Sequence, residues 1–214
     1  LSAGICSYHV CTTLKEAKEK VENGMWIMIR EGTTARNLKD LLPLVTSKNS
    51  RRFLFVTDDR HPKELLDEGH IDSVVKKAVQ WGLDPILAIQ MATLNAAEYF
   101  RLDDLGAIAP GYKADILTFE DLGEFKVKKV FKDGALVAED GEMIARAPKT
   151  PSALKTRVKG SVRIKPMTEK AFLLRSGQPL VKVIQLVPDQ IVTRKVMKNV
   201  LLKDGIAYPN IEED

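Results

Sequence analysis

The stretch Phe53-Leu-Phe-Val-Thr-Asp-Asp-Arg-His-Pro62 decides the predicted fold. Four apolar residues of strand length lead directly into two adjacent carboxylates, and Pro62 suits the first turn of a helix. A fully apolar strand followed by a helix is typical of a parallel sheet that is covered on both faces. In a parallel barrel the active site forms where such strands end, because the loops after the strands meet there.

Two further strand candidates precede this one, at residues 4–7 and 26–29. Thr13-x-x-Glu16 is a capping-box signature, and Asp84-Pro85 is expected to open a later helix. The expected helices cover 14–21, 34–42, 62–66, 71–81 and 85–92, with Asn95 capping one more through Phe100. Three strands leave a parallel sheet with two open edges. Residues 1–105 are therefore predicted to be α/β and to form part of a barrel or of a doubly wound sheet.

The pattern changes after Gly106. Strands are expected at 114–119 and 127–131, and Lys132-Asp-Gly134 is a tight-turn signal before a third strand at 136–138. Further short strand candidates lie at 161–164, 171–175, 180–187 and 197–202. The second half of the chain is therefore predicted to be rich in β-strands.

The composition is that of an ordinary globular protein. The 214 residues include 33 Lys+Arg, 29 Asp+Glu and 2 Cys, which excludes disordered and disulfide-rich classes. The low cysteine content predicts a cytoplasmic location, and no apolar run approaches the roughly 20 residues that cross a membrane. The start, Leu1-Ser-Ala-Gly4, has no features of a signal peptide, and the chain is interpreted as the middle of a longer protein.

Residues 146–198 are strongly basic, with 13 Lys+Arg against Glu169 and Asp189. A basic β module that binds nucleic acid is one interpretation of this stretch. It is disfavoured because Phe172 is the only aromatic residue there, and single strands bind to aromatic stacking platforms. The alternatives are a solvated β surface or a face that meets an acidic partner domain.

Candidate site residues lie where the predicted strands end. Asp58 is better placed than Asp59 to point into a site, and Asp59 is alternatively the N-cap of the next helix. His9 ends the first strand candidate at the position equivalent to Asp58, so these two side chains are candidate metal ligands. Arg30 and Glu31 end the second strand, where they either line the same mouth or pair with surface charges.

Two other patterns leave alternatives open. His61 either contacts a substrate or starts a helix. Cys6, His9 and Cys11 form a C-x2-H-x-C cluster, but a closed zinc site needs four ligands and the strand pleat separates these three. The chain has no glycine-rich phosphate loop and no G-x-S-x-G elbow, so nucleotide triphosphate and serine hydrolase chemistry have no support.

Several segments resemble the amidohydrolase superfamily. Residues 87–100 and 105–116, with Gly-Ala-Ile-Ala-Pro-Gly-Tyr-Lys-Ala-Asp inside the second, resemble the last barrel helix of that superfamily and the small β-sandwich after it. Within the superfamily, the closer resemblance is to the adenine deaminase family. It is carried by Gly24-Met-Trp-Ile-Met-Ile-Arg-Glu-Gly32, Thr57-Asp-Asp-Arg-His-Pro62, Glu68-Gly-His70 and Ile89-Gln-Met-Ala-Thr-Leu-Asn95. The resemblance is strong over residues 1–145 and weaker over 146–214.

The resemblance implies the C-terminal part of a (β/α)8 TIM-type hydrolase barrel followed by β-sandwich-like strands. Residues 1–105 would be the last three βα units, 106–150 a small β-sandwich segment, and 151–214 the start of a C-terminal β region. The implied reaction is hydrolysis of adenine to hypoxanthine and ammonia by a metal-bound hydroxide. The implied cofactor is a binuclear divalent metal centre of manganese or iron, with zinc as an option.

The same resemblance assigns roles to the candidate residues. Asp58 would bind metal and shuttle the catalytic proton, and His9 would be a second metal ligand. The residues expected to contact the purine substrate are Asp59, Arg30, Glu31 and His61.

Two departures from the family pattern bear on activity. Tyr8 and Val10 stand where the family has acids on both sides of the histidine, and the remaining metal ligands belong to a barrel half expected to precede this sequence. We therefore expect the isolated chain to be weak or inactive, and we expect a homo-oligomer or a separate N-terminal half. The alternatives are an inert relative with a binding or assembly role, and an amidohydrolase that acts on another cyclic amide or amine.

Overall fold

Three parallel strands form the sheet that the sequence predicts, in the order β1-β2-β3. They are β1 (Ser7–Tyr8), β2 (Trp26–Arg30) and β3 (Phe53–Val56). The prediction of the first strand at 4–7 is wrong in its bounds, because only Ser7 and Tyr8 pair with β2. Arg30, the last residue of β2, lies opposite Val56, the last residue of β3. The structure is a computed structural model, and it describes residues 2–145 and 159–208.

Helices follow each of these strands. They are α1 (Leu14–Glu22), α2 (Leu38–Leu41), α3 (Pro62–Asp67), α4 (Ile71–Gln80), α5 (Pro85–Ala92) and α6 (Leu94–Phe100). Short 3-10 helices cover Leu42–Leu44, Ser50–Arg52 and Glu169–Phe172. The predicted caps of α1 and α5 are confirmed, because Thr13 accepts the Glu16 N–H and Asp84 accepts the N–H groups of Ile86 and Leu87.

The hydrophobic core lies between one face of the parallel sheet and the helices. Ile27 and Ile29 of β2 and Phe53 and Phe55 of β3 are at most 3% exposed and share one core cluster with apolar helix residues. Those helix residues are Ala17, Leu38, Leu41, Val74, Val75, Ala78, Ala88 and Met91. Because strand side chains alternate, the residues between these positions face the opposite side of the sheet.

The helix predicted at 34–42 is wrong in extent. Only Leu38–Leu41 is α-helical, and Pro43 lies within the 3-10 turn after it. The reason is that Thr33 and Thr34 bond to the segment after β3 instead of continuing a helix. Side chains that bond in this way offer the backbone an alternative to helix formation.

Asn95, predicted to cap a helix, instead lies inside α6 and is fully buried. Its side-chain amide donates to the carbonyl oxygens of Ser50 and Phe53 at 2.8 and 2.7 Å, and its Oδ1 accepts from Arg51 Nη1 at 2.5 Å. These bonds attach α6 to the start of β3. The cap prediction failed because the buried carbonyl groups that need a donor are more than 40 residues away.

An antiparallel sheet of four strands follows the helices, in the order β4-β5-β6-β7. The strands are β4 (Ile116–Phe119), β5 (Val127–Lys132), β6 (Ala135–Glu139) and β7 (Glu142–Met143). The predicted turn is confirmed, because Asp133 and Gly134 have φ values of 49° and 80°. A type I′ hairpin turn needs positive φ at both central residues, which Asp-Gly provides at little cost.

The chain divides into two compact units. Within the described residues, the first consists of 2–145 with Val187–Val192, and the second of 159–186 with 193–208. The second unit contains β8 (Leu174–Arg175), β9 (Leu180–Leu186), β10 (Thr193–Asn199), β11 (Leu201–Lys203) and β12 (Ile206–Tyr208). β9 pairs with β10, and the other three form a sheet in the order β11-β12-β8. The predicted division at 105 and 150 stays a prediction.

Two strand predictions in the second unit are wrong, one in part and one entirely. In the candidate at 171–175 only Leu174–Arg175 is a strand, because Glu169–Phe172 forms a 3-10 helix. Residues 161–164 form no strand, and Pro166, which has no N–H to donate, follows closely. The candidate at 197–202 is divided between the end of β10 and the start of β11. Within the part of the chain that the structure describes, every helix is too short or too polar to cross a bilayer.

Candidate active site

The carboxyl ends of β2 and β3 bring Arg30 and Asp58 into contact. Arg30 Nη1 donates to Asp58 Oδ2 at 2.6 Å. The Arg30 side chain is 6% exposed, whereas the Asp58 side chain keeps 36% of its surface. The pair therefore has a buried cationic side and an anionic side that is open to solvent.

This pair lies on the face of the sheet opposite the core. Phe53 and Phe55 pack beneath the helices, so Leu54 and Val56 face the other way by alternation along β3. Arg30 is paired with Val56 and shares that face. In a barrel this face lines the interior. The structure thus places Arg30 and Asp58 at the edge where βα loops form active sites.

Asp58 has an unusual backbone conformation. Its φ is 53°, in the left-handed region that non-glycine residues seldom adopt, although aspartate tolerates it better than most. Such conformations cluster at functional sites, where the surroundings hold them in place. The turn at Asp58 directs the chain from β3 toward α3.

Asp59 binds the loop that follows β2. Its Oδ2 accepts hydrogen bonds from the Thr34 N–H at 3.0 Å and from the Thr34 hydroxyl. Burial alone would raise the pKa of the Asp59 carboxyl. The two Thr34 bonds and neighbouring backbone N–H groups together outweigh burial, so the pKa of Asp59 lies below its ordinary value. Asp59 is thus an ionised link between two loops, and the N-cap of α3 is His61 rather than Asp59.

Gly32 provides the space for Asp59. A Cβ built on Gly32 would lie 1.8 Å from Asp59 Oδ1 and 3.1 Å from the Thr57 carbonyl oxygen. The backbone of the loop after β2 therefore approaches the loop after β3 too closely for any side chain at this position.

His61 is the N-cap of α3, which agrees with the prediction that it starts a helix. Its backbone N–H donates to Thr33 Oγ1 at 2.9 Å and to Glu64 Oε2 at 3.1 Å, while its side chain is exposed. A hydrogen bond from the Thr33 hydroxyl is the main cause of the lowered pKa of Glu64. Burial opposes it, and the His61 N–H and the charge of Arg36 add to the lowering. A substrate contact by His61 stays a prediction.

Glu31 is buried and bound by a lysine that the sequence did not single out. Lys77 Nζ of α4 donates to Glu31 Oε1 at 3.1 Å and to Glu68 Oε2 at 3.2 Å. Arg60, whose side chain is 3% exposed, donates to Glu68 Oε2 at 2.8 Å. The hydrogen bond from Lys77 is the main cause of the lowered pKa of Glu68. The structure therefore gives Glu31 a protein partner, and its substrate contact stays a prediction.

Three buried polar atoms in this region have no hydrogen-bond partner among the described residues. They are Arg30 Nε, Asp59 Oδ1 and Arg60 Nε. An unsatisfied buried polar group costs about 1–3 kcal/mol, so each one calls for an explanation. Their concentration at the ends of β2 and β3 is typical of a site that a water, a ligand or another segment completes.

His9 and the cysteines do not form a metal cluster. His9 is exposed directly after β1, whereas Cys11 is 1% exposed. Burial, with help from the charge of Glu16, raises the pKa of the Cys11 thiol to about 11, which disfavours the thiolate that zinc requires. Among residues 2–145 and 159–208, no group of three His, Cys, Asp or Glu side chains could hold a metal ion. The C-x2-H-x-C zinc interpretation is therefore wrong.

The described site includes residues that sequence patterns did not identify: Thr33, Thr34, Arg60, Glu64, Glu68 and Lys77. Arg60 follows the Asp58-Asp59 pair directly, so its basic side chain was a local signal. Lys77 carried no such signal, because it lies 46 residues from Glu31 in the sequence and meets it only through the packing of α4.

A parallel sheet with polar side chains at its carboxyl edge is the arrangement on which α/β barrel enzymes build their active sites. The sequence pattern described as "Amidohydrolase family" matches residues 3–137, and the chain belongs to this family. It is 45% identical over 214 residues to the adenine deaminase of Dehalococcoides mccartyi, and 47% identical over 215 residues to adenine deaminase 2 of Carboxydothermus hydrogenoformans. Each comparison covers 100% of this chain and 37% of the relative, so the chain spans about a third of their length.

A solved structure supports the fold. The β-aspartyl dipeptidase of Fervidobacterium islandicum AW-1 superposes with a TM-score of 0.52 and 18% sequence identity, over 67% of this chain and 42% of the other. At this identity the likeness is one of fold alone, and with the family match it supports a TIM-barrel-type hydrolase fold.

Proposed function

We propose that the protein is an adenine deaminase, which hydrolyses adenine to hypoxanthine and ammonia. The observation that carries this proposal is the 45% and 47% identity to two adenine deaminases over the whole chain, which contains the Arg30–Asp58 pair. In the reaction, the oxygen of water bonds to the ring carbon that carries the amino group. The bond from that carbon to the amino nitrogen then breaks. The protons of the water end on the ring and on the departing ammonia.

Asp58 is the residue we assign to proton transfer. Arg30 holds Oδ2 at 2.6 Å, so Oδ1 is the atom that would take a proton from the attacking water and deliver it to the amine. The bond from the guanidinium fixes the orientation of the carboxylate that takes the proton. Arg30 thus acts on Asp58, in addition to the substrate contact predicted for it.

The other predicted site residues have more limited support. Asp59, Glu31 and His61 lie in the loops that follow β2 and β3, and each bonds to the protein through its side chain or backbone. We propose that Asp59 and His61 contact the purine at the exposed surface of these loops. Glu31 is 3% exposed, so it would reach substrate only if Lys77 moved.

The described residues do not by themselves fit a binuclear metal centre, because they contain no group of three possible ligands. Asp58 and His9 stay the two ligands that we propose for this chain, and further ligands would have to come from another segment. A divalent metal, manganese or iron with zinc as the alternative, enters the proposal through the family resemblance alone.

We propose that these three strands are part of a complete barrel. Three strands expose the face that carries Arg30, and we propose that the remaining strands come from an N-terminal half or from a second copy of the chain. We place β4–β7 in the small β-sandwich segment, and we propose a small purine substrate, no nucleic-acid or membrane partner and a cytoplasmic location.

Ammonia release from adenine tests the proposed function. The assay uses the full-length gene product with manganese or iron supplied, and compares it with Asp58→Asn. We expect activity that falls at least about 100-fold in this variant, because general acid–base catalysis contributes roughly that much. The matched control is Asp67→Asn, which removes an acid from an exposed ion pair with Lys63 and should leave activity unchanged.

The outcomes separate the alternatives. No activity toward adenine, together with activity toward another cyclic amide or amine, would replace the substrate but keep the hydrolase class. No activity on any such compound would favour an inert relative. Full activity in Asp58→Asn would remove Asp58 from the mechanism.

A further inference from the structure

The segment that joins β9 to β10, Val187–Val192, belongs to the first unit of the chain. We call it the hairpin tip. The Asp189 carbonyl oxygen accepts the Arg36 backbone N–H at 2.8 Å, and Gln190 Nε2 donates to Asp40 Oδ2 at 3.1 Å. These two contacts join the hairpin tip to Arg36, in the loop after β2, and to Asp40, in α2.

Arg36 connects the hairpin tip to the site loops. Its Nε donates to the Gly32 carbonyl oxygen at 3.1 Å and lies 3.9 Å from Asp189 Oδ1. Its Nη2 lies 3.6 Å from Glu64 Oε1 of α3. One side chain therefore contacts the hairpin tip, the loop after β2 and the first turn of α3.

The loop after β2 in turn holds the segment that contains Asp58. We call residues 31–37 the β2 loop. Gly32 packs against Asp59 Oδ1, and Thr34 donates two hydrogen bonds to Asp59 Oδ2. Asp59 directly follows Asp58, whose left-handed backbone must be held by its surroundings. A continuous set of contacts thus runs from the hairpin tip to Asp58.

We propose that the hairpin tip positions the active site by holding the β2 loop against the Asp58-Asp59 segment. This inference rests on the proposed deaminase function. The tip lies beyond residues 3–137, the part of the chain that the family pattern covers. Among the described residues, the hydrogen bonds and ion pair from the tip to the first part of the chain go to Arg36 and Asp40. Asp189 and Gln190 therefore act as positioning residues, and their effect is expected in kcat rather than in KM.

A shortened hairpin tests the contact. Leu186 and Thr193 are register partners, so replacing Val187–Val192 by Asn-Gly closes the hairpin with a two-residue turn and leaves the strand register intact. Hydrogen exchange of the Arg36 amide should become about fivefold faster or more, since it loses one hydrogen bond. Gln185→Ala, on the exposed surface of β9, is the control and should leave that exchange unchanged.

A second test does not depend on the folding of the shortened hairpin, because it exchanges the donor and the acceptor of one hydrogen bond. Gln190→Glu places a carboxylate against Asp40 and should also speed exchange in the β2 loop. Combining it with Asp40→Asn restores a donor and an acceptor in reversed order, so exchange should return toward the wild-type rate. Failure of the second change to rescue the first would contradict the contact.

Kinetics of the full-length gene product test the functional part. Shortening the hairpin should lower kcat for adenine by about tenfold or more with KM nearly unchanged, since small misplacements of reacting groups are costly. Unchanged Arg36 exchange overturns the inference, as does faster exchange with unchanged kcat. If the wild-type protein is inactive on adenine, the proposed function fails, and the exchange results alone decide whether the tip holds the β2 loop.

Discussion

Arg30 and Asp58 form an ion pair whose two sides are unequally buried. Their atoms Nη1 and Oδ2 are 2.6 Å apart, but the arginine side chain is 6% exposed and the aspartate side chain 36%. Removing one partner leaves the other charge unpaired. The loss of stability then depends on how well water can hydrate the charge that remains. The two residues are therefore not equivalent as targets for mutation.

We expect Asp58→Ala to lower the free energy of unfolding by about 3 kcal/mol, because it leaves a buried guanidinium unpaired. Arg30→Met should cost only about 1 kcal/mol, since water hydrates the carboxylate that remains. Urea denaturation followed by tryptophan fluorescence measures both, and Trp26 and Trp81 both lie in the first unit. Equal losses would mean that the two charges are equally solvated.

Gly32→Ala should destabilise the protein by about 2 kcal/mol, because the new Cβ would lie 1.8 Å from Asp59 Oδ1. Thermal or urea unfolding measures the loss. Gly177→Ala is the control, since a Cβ there meets no atom within 4 Å. Adding Asp59→Ala should recover part of the loss, and strict additivity of the two changes would contradict the close contact.

Asn95→Ala should cost about 2–4 kcal/mol, because it leaves the buried carbonyl groups of Ser50 and Phe53 without their donor. Asn23→Ala removes an exposed amide that bonds to the Glu19 carbonyl at the end of α1, and should cost no more than about 0.5 kcal/mol. The difference in urea midpoints between the variants measures the effect. Similar midpoints would show that the Asn95 bonds add little.

Cys11 should make the protein less stable in alkali. Its folded-state pKa of about 11 lies above the ordinary 9.0, so its contribution is complete below pH 9 and is lost as the pH rises toward 11. We expect the unfolding free energy of wild type to fall by about 1 kcal/mol more than that of Cys11→Ala between pH 8 and pH 10.

Thiol labelling provides an independent check on Cys11. At pH 8 the exposed Cys6 should react quickly with a thiol reagent, whereas Cys11 should react only on unfolding. Cys6→Ala should therefore abolish the fast phase. Two fast phases in the wild type would contradict the burial of Cys11.

Local signals in the sequence predicted much of the first unit. The apolar runs ending at Ile29 and Val56 are strands, and Asp84-Pro85 opens a helix, because each of these features depends on a few consecutive residues. The shared position of Asp58 and Arg30 at one edge of the sheet also followed from strand ends alone. Their direct ion pair did not, since it depends on side-chain direction after the last paired residue.

The errors arose where distant residues determine the local structure. The threonines of the β2 loop are not helical because they bond to the segment after β3. Asn95 does not cap a helix because its amide donates to carbonyl groups of a preceding 3-10 turn and strand. Lys77 and Glu31 meet only after α4 packs against the sheet. Such contacts leave no periodic trace, so sequence patterns alone did not reveal them.

The order of β1, β2 and β3 in space equals their order in the chain. During synthesis, each new strand can therefore dock on the edge that the previous strand has just formed, with its connecting helices covering one face as they emerge. The growing edge is always the newest strand, and no earlier strand has to wait unpaired for a distant partner. Pairing within this sheet therefore needs contacts between consecutive strands only, which keeps the loops that must close as short as a parallel sheet allows.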